Sequence, residues 1–139
     1  MVISHSMKIQ TEGKGQIINL TPQINDYLFN VEITNGLLCV AVPASTASII
    51  TMEYEDGVEK DLRKLFEDLV SSRKKFAHDK ALGGKGNGVA HARATLFGPS
   101  VTVPFTNRKL ALSVWEQIIL VDFDLEPRTR EVVVTFVGE

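Results

Sequence analysis

The chain has 139 residues, 44% of them hydrophobic and 23% charged, with a formal charge of −2 and a pI near 5.9. This size holds one domain with a real core but not two, and the balance excludes a disordered chain. A slightly acidic chain is no general binder of nucleic acid or anionic membrane, so any anion site must be a local cluster. Cys39 is the only cysteine, which excludes an intramolecular disulfide. Inside Leu37-Leu38-Cys39-Val40-Ala41-Val42 it reads as a small buried hydrophobe and not a nucleophile. Met1 to Met7 lack the apolar core of a signal peptide, and no later apolar run approaches the roughly 18 residues of a membrane span. The expectation is a soluble cytoplasmic protein with no membrane or nucleic-acid partner.

Residues 1–7 read as a tail before a single domain over 8–139. Lys8 to Leu20 is strand material broken by Gly13 and Gly15, which predicts a hairpin. Thr21-Pro22 opens a short helix with Thr21 as cap, Pro22 in the first turn and Ile24, Tyr27 and Leu28 as its apolar stripe. After the Asn35-Gly36 turn, Leu37 to Val42 is apolar on both faces and reads as a central strand. Pro43 to Ala47 breaks it, and Ser48 to Tyr54 resumes extended structure. Asp56-Gly57-Val58-Glu59 resembles a capping box led by Asp56. The helix it opens carries Val58, Leu62, Leu65, Phe66 and Leu69 at helical spacing and ends near Val70 to Ser72. Beyond His91 the pattern predicts strands at Arg93–Phe97, Ser100–Phe105, Leu110–Ser113, Gln117–Phe123 and Glu131–Val137. The fold class is α+β, a sheet pair or sandwich with helices on one side. Ile118-Ile119-Leu120-Val121 is apolar on both faces, which fits a central strand or one buried by a subunit contact.

Between His78 and His91 the chain is almost all glycine, lysine and small polar residues. Glycines let backbone N–H groups turn toward an anion, and imidazoles add proton transfer or metal ligation near neutral pH. Arg73, Lys74, Lys75, Lys80, Lys85 and Arg93 surround this run, so it reads as a phosphate or pyrophosphate site, the alternative being a solvated flexible loop. It is not a Walker A loop, because no Gly-Lys-Ser/Thr follows at the required spacing. Asp61 lies beside the apolar stripe of its helix, either as a rim charge or as a carboxylate turned into a site. Glu53 is ambiguous in the same way. Trp115, between Val114 and Glu116, is either core or the wall of a slot for a flat heterocycle. Metal binding is the weakest case: His78, His91 and one carboxylate could hold zinc or magnesium, but a 13-residue separation is no metal signature.

These segments resemble the YjbQ family, also called the secondary thiamine-phosphate synthase family, over nearly the whole chain. The similarity is carried by Val42-Pro43-Ala44-Ser45-Thr46-Ala47, Glu53-Tyr54-Glu55, Asp61-Leu62, His78 with Gly86-Asn87 and Ala90-His91, Gly98-Pro99-Ser100 with Val103-Pro104, Leu110-Ala111-Leu112 with Trp115, and Asp124 with Arg128 and Arg130. The resemblance implies an α+β fold, compact homotrimers with a polar pocket near subunit contacts, and a transferase activity. In that reaction a thiazole-phosphate nitrogen displaces pyrophosphate from a hydroxymethylpyrimidine pyrophosphate to give thiamine phosphate. Three departures stand out: Ala44 where relatives usually carry histidine, Ser113-Val114-Trp115-Glu116 where they read Gly-Thr-Trp-Gln, and Leu125 where a glycine usually follows the aspartate.

The combined reading builds one pocket from His78, Asn87, His91, Glu53, Asp61, Ser100 and Trp115, with Ser45, Gly86 and Glu116 as further ligand contacts. His78 and His91 are its acid/base or metal-holding pair. Asn87 and the loop amides would hold the leaving phosphate, and Asp61 would orient a histidine or hold a divalent ion. The competing expectation is a non-catalytic protein that binds a phosphorylated small molecule or a metal.

Overall fold

Eight strands, all paired antiparallel, divide between two sheets in the computed structural model, which describes residues 1–139. In the larger sheet β1 (Val2–Thr11), β8 (Arg128–Gly138), β3 (Gly36–Ala41), β5 (Ser100–Thr106) and β6 (Lys109–Leu110) lie side by side in that order. In the smaller one β7 (Glu116–Asp122) runs between β2 (Gln16–Asn19) and β4 (Ala47–Glu53). The helices are α1 (Thr21–Asn30), α2 (Asp56–Leu69), α3 (Ala77–Ala81) and α4 (Gly88–Phe97). No helix is long and apolar enough to cross a membrane.

β7 explains the layering. A strand presents alternate residues to opposite faces, so one apolar on both faces must be covered twice. Ile118 and Leu120 join Leu38, Ile49 and Phe136 in the core between the sheets, to which α1 adds Ile24 and Leu28. Ile119 and Val121 face the other way, onto Phe66 of α2 and Ala90 and Ala94 of α4. The result is an α+β stack of large sheet, small sheet and helices, as the sequence pattern predicts. β3, apolar and flanked by β8 and β5, is central as expected.

Four local expectations are corrected. Residues 1–7 are not a tail: β1 starts at Val2 and pairs with β8 along its whole length. The Lys8–Leu20 segment is not a hairpin, because β1 joins the large sheet and β2 pairs with β7 in the small one. Gly13, Lys14 and Gly15 make the crossing with φ of 76°, 58° and 79°. Thr21 does not cap α1; its hydroxyl accepts the Ile118 N–H at 2.7 Å, and the helix starts one residue earlier than a Thr21 cap would allow. Arg93–Phe97 is the second half of α4 and not a strand, buried through Ala90 and Ala94, whose small side chains leave a weak apolar stripe. Two smaller shifts follow the same lines. Glu55, not Asp56, caps α2, accepting from the N–H groups of Gly57 and Val58 at 3.0 and 2.6 Å. The strand predicted over Leu110–Ser113 shrinks to the two residues of β6.

Candidate functional site

Asp79 organises the Gly-rich segment. Its carboxylate accepts the Phe76 N–H at 2.9 Å, closing the start of α3, and the Gly88 N–H at 3.0 Å, closing the start of α4. Those two N–H groups hold its pKa below the ordinary carboxylate value. The glycines next to it are needed for close approach. A Cβ on Gly86 would lie 2.7 Å from Asp79 Cα, and one on Gly88 would lie 2.7 Å from Phe76 Cβ. The N–H groups of Leu82, Gly83, Gly84 and Lys85 are spent on the loop's own turns. Those four amides are therefore not available to a phosphate, and the loop's first task is to seat His78 and Asn87.

His78 Nε2 and Asn87 Oδ1 are 2.9 Å apart, and Asn87 Nδ2 makes a long contact of 3.5 Å to Asp124 Oδ1. An ionised carboxylate only accepts, so the amide nitrogen faces Asp124 and its oxygen faces the imidazole. His78 Nε2 then carries the proton, leaving the Nδ1 lone pair free. His91 Nδ1 donates to the Ser45 carbonyl at 3.2 Å, leaving its Nε2 free. The two rings meet edge to face with centroids 4.8 Å apart. Each imidazole thus keeps one uncommitted ring nitrogen.

Beneath them lies an ion-pair cluster that joins the sheets. Asp122, the last residue of β7, is fully buried and receives Arg130 of β8 at 2.7 and 2.9 Å and the Thr11 hydroxyl of β1 at 2.6 Å. Asp124 accepts from Thr46 at 3.0 Å and from Arg128 at 3.2 Å, and Arg130 also donates to the Thr46 hydroxyl at 2.7 Å. Burial by itself would raise the Asp122 carboxyl, but Arg130, Thr11 and the Asp124 N–H together hold it below its ordinary value. The same opposition lowers Asp124, where the Thr46 hydroxyl, the Leu125 N–H, Arg128 and Asn87 outweigh burial. Its bonds to Asp122 raise Arg130. His91, Asn87, Ala44, Ser45, Arg128 and Arg130 border a cavity of about 440 Å³ above this cluster, while His78 and His91 share a shallower depression on its other side.

His78, His91, Asn87 and Ser45 are brought together, Ser45 through its carbonyl, and Gly86 supports Asn87. Five expected members lie elsewhere. Glu53 and Glu116 are register partners at the far end of β4 and β7, with Trp115 beside them. The six steps of β7 put them about 20 Å from Asp122. Asp61 is exposed on α2 with no polar partner, and exposed Ser100, opposite Ala41 in the large sheet, borders neither histidine cavity. Arg93, expected in the anion cluster, is spent on the end of α2, donating to the Val70 carbonyl at 3.1 and 2.7 Å and to Glu67 at 3.0 Å. The Ser72 N–H and hydroxyl, with a smaller part from Arg93, keep Glu67 below the usual carboxylate range.

Thr46, Asp122, Asp124, Arg128 and Arg130 were not expected as site residues. Their signal is the spacing Asp122-x-Asp124 and Arg128-x-Arg130, since residues two apart in extended chain share a face. Nowhere do three or more His, Cys, Asp or Glu side chains cluster as a metal cage, so an ion at the histidines would have two protein nitrogens and water.

A family model described as "UPF0047 protein YjbQ-like" matches residues 5–139. A UPF0047 protein from Archaeoglobus fulgidus is 37% identical over 92% of this chain and 96% of its own length. The UPF0047 protein YugU of Bacillus subtilis is 28% identical over 96% of this chain and 98% of its own. A hypothetical protein from Aeropyrum pernix superposes with a TM-score of 0.89 at 29% identity, covering 99% of both chains. An uncharacterized protein of the same family from Clostridium acetobutylicum gives 0.85 at 27%, covering 96% of this chain and 99% of that one. The chain belongs to the YjbQ-like UPF0047 family.

Proposed function

We propose that the chain is a transferase of the thiamine-phosphate synthase type, joining hydroxymethylpyrimidine pyrophosphate to a thiazole phosphate. The observation that carries this reading is the pair of imidazoles, 4.8 Å apart with one nitrogen each committed, of which His91 borders the Arg128 cavity. The thiazole nitrogen forms a bond to the pyrimidine methylene carbon as its C–O bond breaks, and pyrophosphate leaves with the electron pair. No proton leaves the thiazole nitrogen, so catalysis must act on the leaving group. Arg128, half exposed and paired to Asp124 on one side only, offers charge to that group. A protonated His91 donates to the departing oxygen, and His78, fixed by Asn87, exchanges the proton with solvent. The purified protein, given both precursors, yields thiamine phosphate by chromatography, and His91→Ala drops the yield to background with an unchanged circular dichroism spectrum. No product from the unmodified chain ends the proposal.

A specific residue favours the second reading, a non-catalytic binder of a phosphorylated small molecule or of zinc or magnesium. Ala44 borders the same cavity as His91, where the family resemblance calls for an imidazole. Ala44→His returns that group, and the transferase reading expects turnover to rise about tenfold or more. Unchanged zero turnover, with thermal stabilisation by phosphate or zinc, identifies a binder. We also propose a cytoplasmic homotrimer, supported by Val114 and Trp115, which are 84% and 69% exposed side by side at the far end of β7. A neighbouring copy covering them would bring Glu53 and Glu116 to the interface.

A further inference from the structure

Asn87 is a wall with two sides. On one is the cavity of His91 and Arg128; on the other is a separate cavity of about 410 Å³, and Asn87 is the only residue that borders both. That volume is in the range of small-ligand sites. Lys14, Lys74 and Lys75 border it, and none forms an ion pair. The two acids that also border it are already satisfied, Glu67 by Ser72 and Arg93 and Asp79 by two backbone N–H groups. The unbalanced charge of this cavity is therefore positive.

Lys14 carries the second observation. It sits at φ 58°, in the left-handed region where an L side chain is strained, although glycines flank it on both sides. Its N–H donates to the Asp124 carbonyl at 2.6 Å, so the turn that presents this lysine is held against the floor of the histidine site. Such strain persists where the surrounding structure over-determines it, and it concentrates at ligand sites. The third observation is the apolar lining: Phe123, 3% exposed and packed edge to face on Phe66, together with Val89 and Leu125. Phe123 is packed on Phe66 and Phe97, so Val89 and Leu125 form the open apolar wall, and a cationic rim beside such a wall selects an anion attached to an apolar group.

We propose that this second cavity binds a phosphate monoester carrying an aromatic or heteroaromatic ring, the ring against Val89 and Leu125 and the phosphate among Lys14, Lys74 and Lys75. The site goes beyond the transferase reading and stands without turnover. A free ring phosphate and a nucleoside monophosphate share this chemistry. Calorimetric titration with phenyl phosphate, inorganic phosphate, phenol and adenosine monophosphate, on the full chain, tests it. Phenyl phosphate is expected to bind one to one in roughly the millimolar range or tighter, and inorganic phosphate and phenol each about tenfold or more weaker. Adenosine monophosphate binding as well as phenyl phosphate assigns a nucleotide, and weaker binding assigns a smaller ring phosphate. Lys75→Glu, on an exposed residue, and Lys14→Gly, which relieves the strained φ, each weaken phenyl phosphate about fivefold or more. Arg128→Gln leaves that affinity within about twofold, because it borders only the other cavity. Absence of saturable binding overturns the proposal. So does binding that falls with Arg128→Gln and is indifferent to both lysine variants.

Discussion

The two ends of β7 make opposite use of polar and apolar groups. At the Asp122 end two carboxylates, two guanidinium groups and two threonines are buried or half-buried and satisfy one another across both sheets. At the Glu116 end a valine and a tryptophan lie in solvent, and Glu53 stands directly opposite Glu116. Like charges at opposed positions of an antiparallel pair repel. One end is complete within a single chain; the other is built as if something else finishes it. Polar residues alone do not locate a site, and the satisfaction of each group separates a finished cluster from an open surface.

The largest effect is expected from breaking the finished end. Asp122→Asn leaves Arg130, 10% exposed, with only the 3.8 Å contact to Asp124 as a charge partner, and losing one member of a buried pair costs about 3–5 kcal/mol, read from urea unfolding. Acid acts on the same groups. Asp122 and Asp124 have folded pKa values below the unfolded carboxylate value of about 3.9, so their contribution is complete above that pH and is lost as pH falls through the folded values. Stability measured from pH 6 down should decline below about pH 4, and less steeply in Asp122→Asn. At the open end, Trp115→Ala should leave the unfolding midpoint of the dissociated chain within about 0.5 kcal/mol, since its side chain is mostly in water already. The proposed trimer should dissociate in the same variant, seen by sedimentation; an unshifted trimer means that Trp115 is outside the contact. The smallest change is Glu116→Gln, which removes the opposed charge and should stabilise the chain by about 0.5 kcal/mol in low salt, with the gain shrinking as salt is added.

What could be read in advance follows the range of the interactions involved. α2 announces itself because Val58, Leu62 and Phe66 repeat at helical spacing, a local pattern. β7 does so because Ile118 to Val121 leave no polar face. The hairpin expectation failed because strand partners are chosen far away: β1 answers to β8, more than a hundred residues later. α4 hid because its buried positions are alanines, and Thr95 and Phe97 read as strand formers. At the site, His78, Asn87 and His91 were visible by residue type within one short segment. Asp122 and Arg130 were not, since an acid ending an apolar strand looks like a solvated edge until its partner from another sheet arrives. Grouping Trp115 with the histidines failed for a geometric reason, as one extended strand holds them apart.

Asp79 has a consequence for how this chain tolerates change. By holding the starts of α3 and α4 with one carboxylate, it closes the connecting loop at its base, so the residues at its tip lie outside the lock. Lengthening a loop already closed costs little, about 0.6 kcal/mol per doubling. Gly83, whose Cβ position meets nothing within 4 Å and which borders neither cavity, marks where extra residues inserted beside it would project into water. That tip lies some residues from the histidines in the chain and outside the two bonds by which Asp79 holds the helix starts.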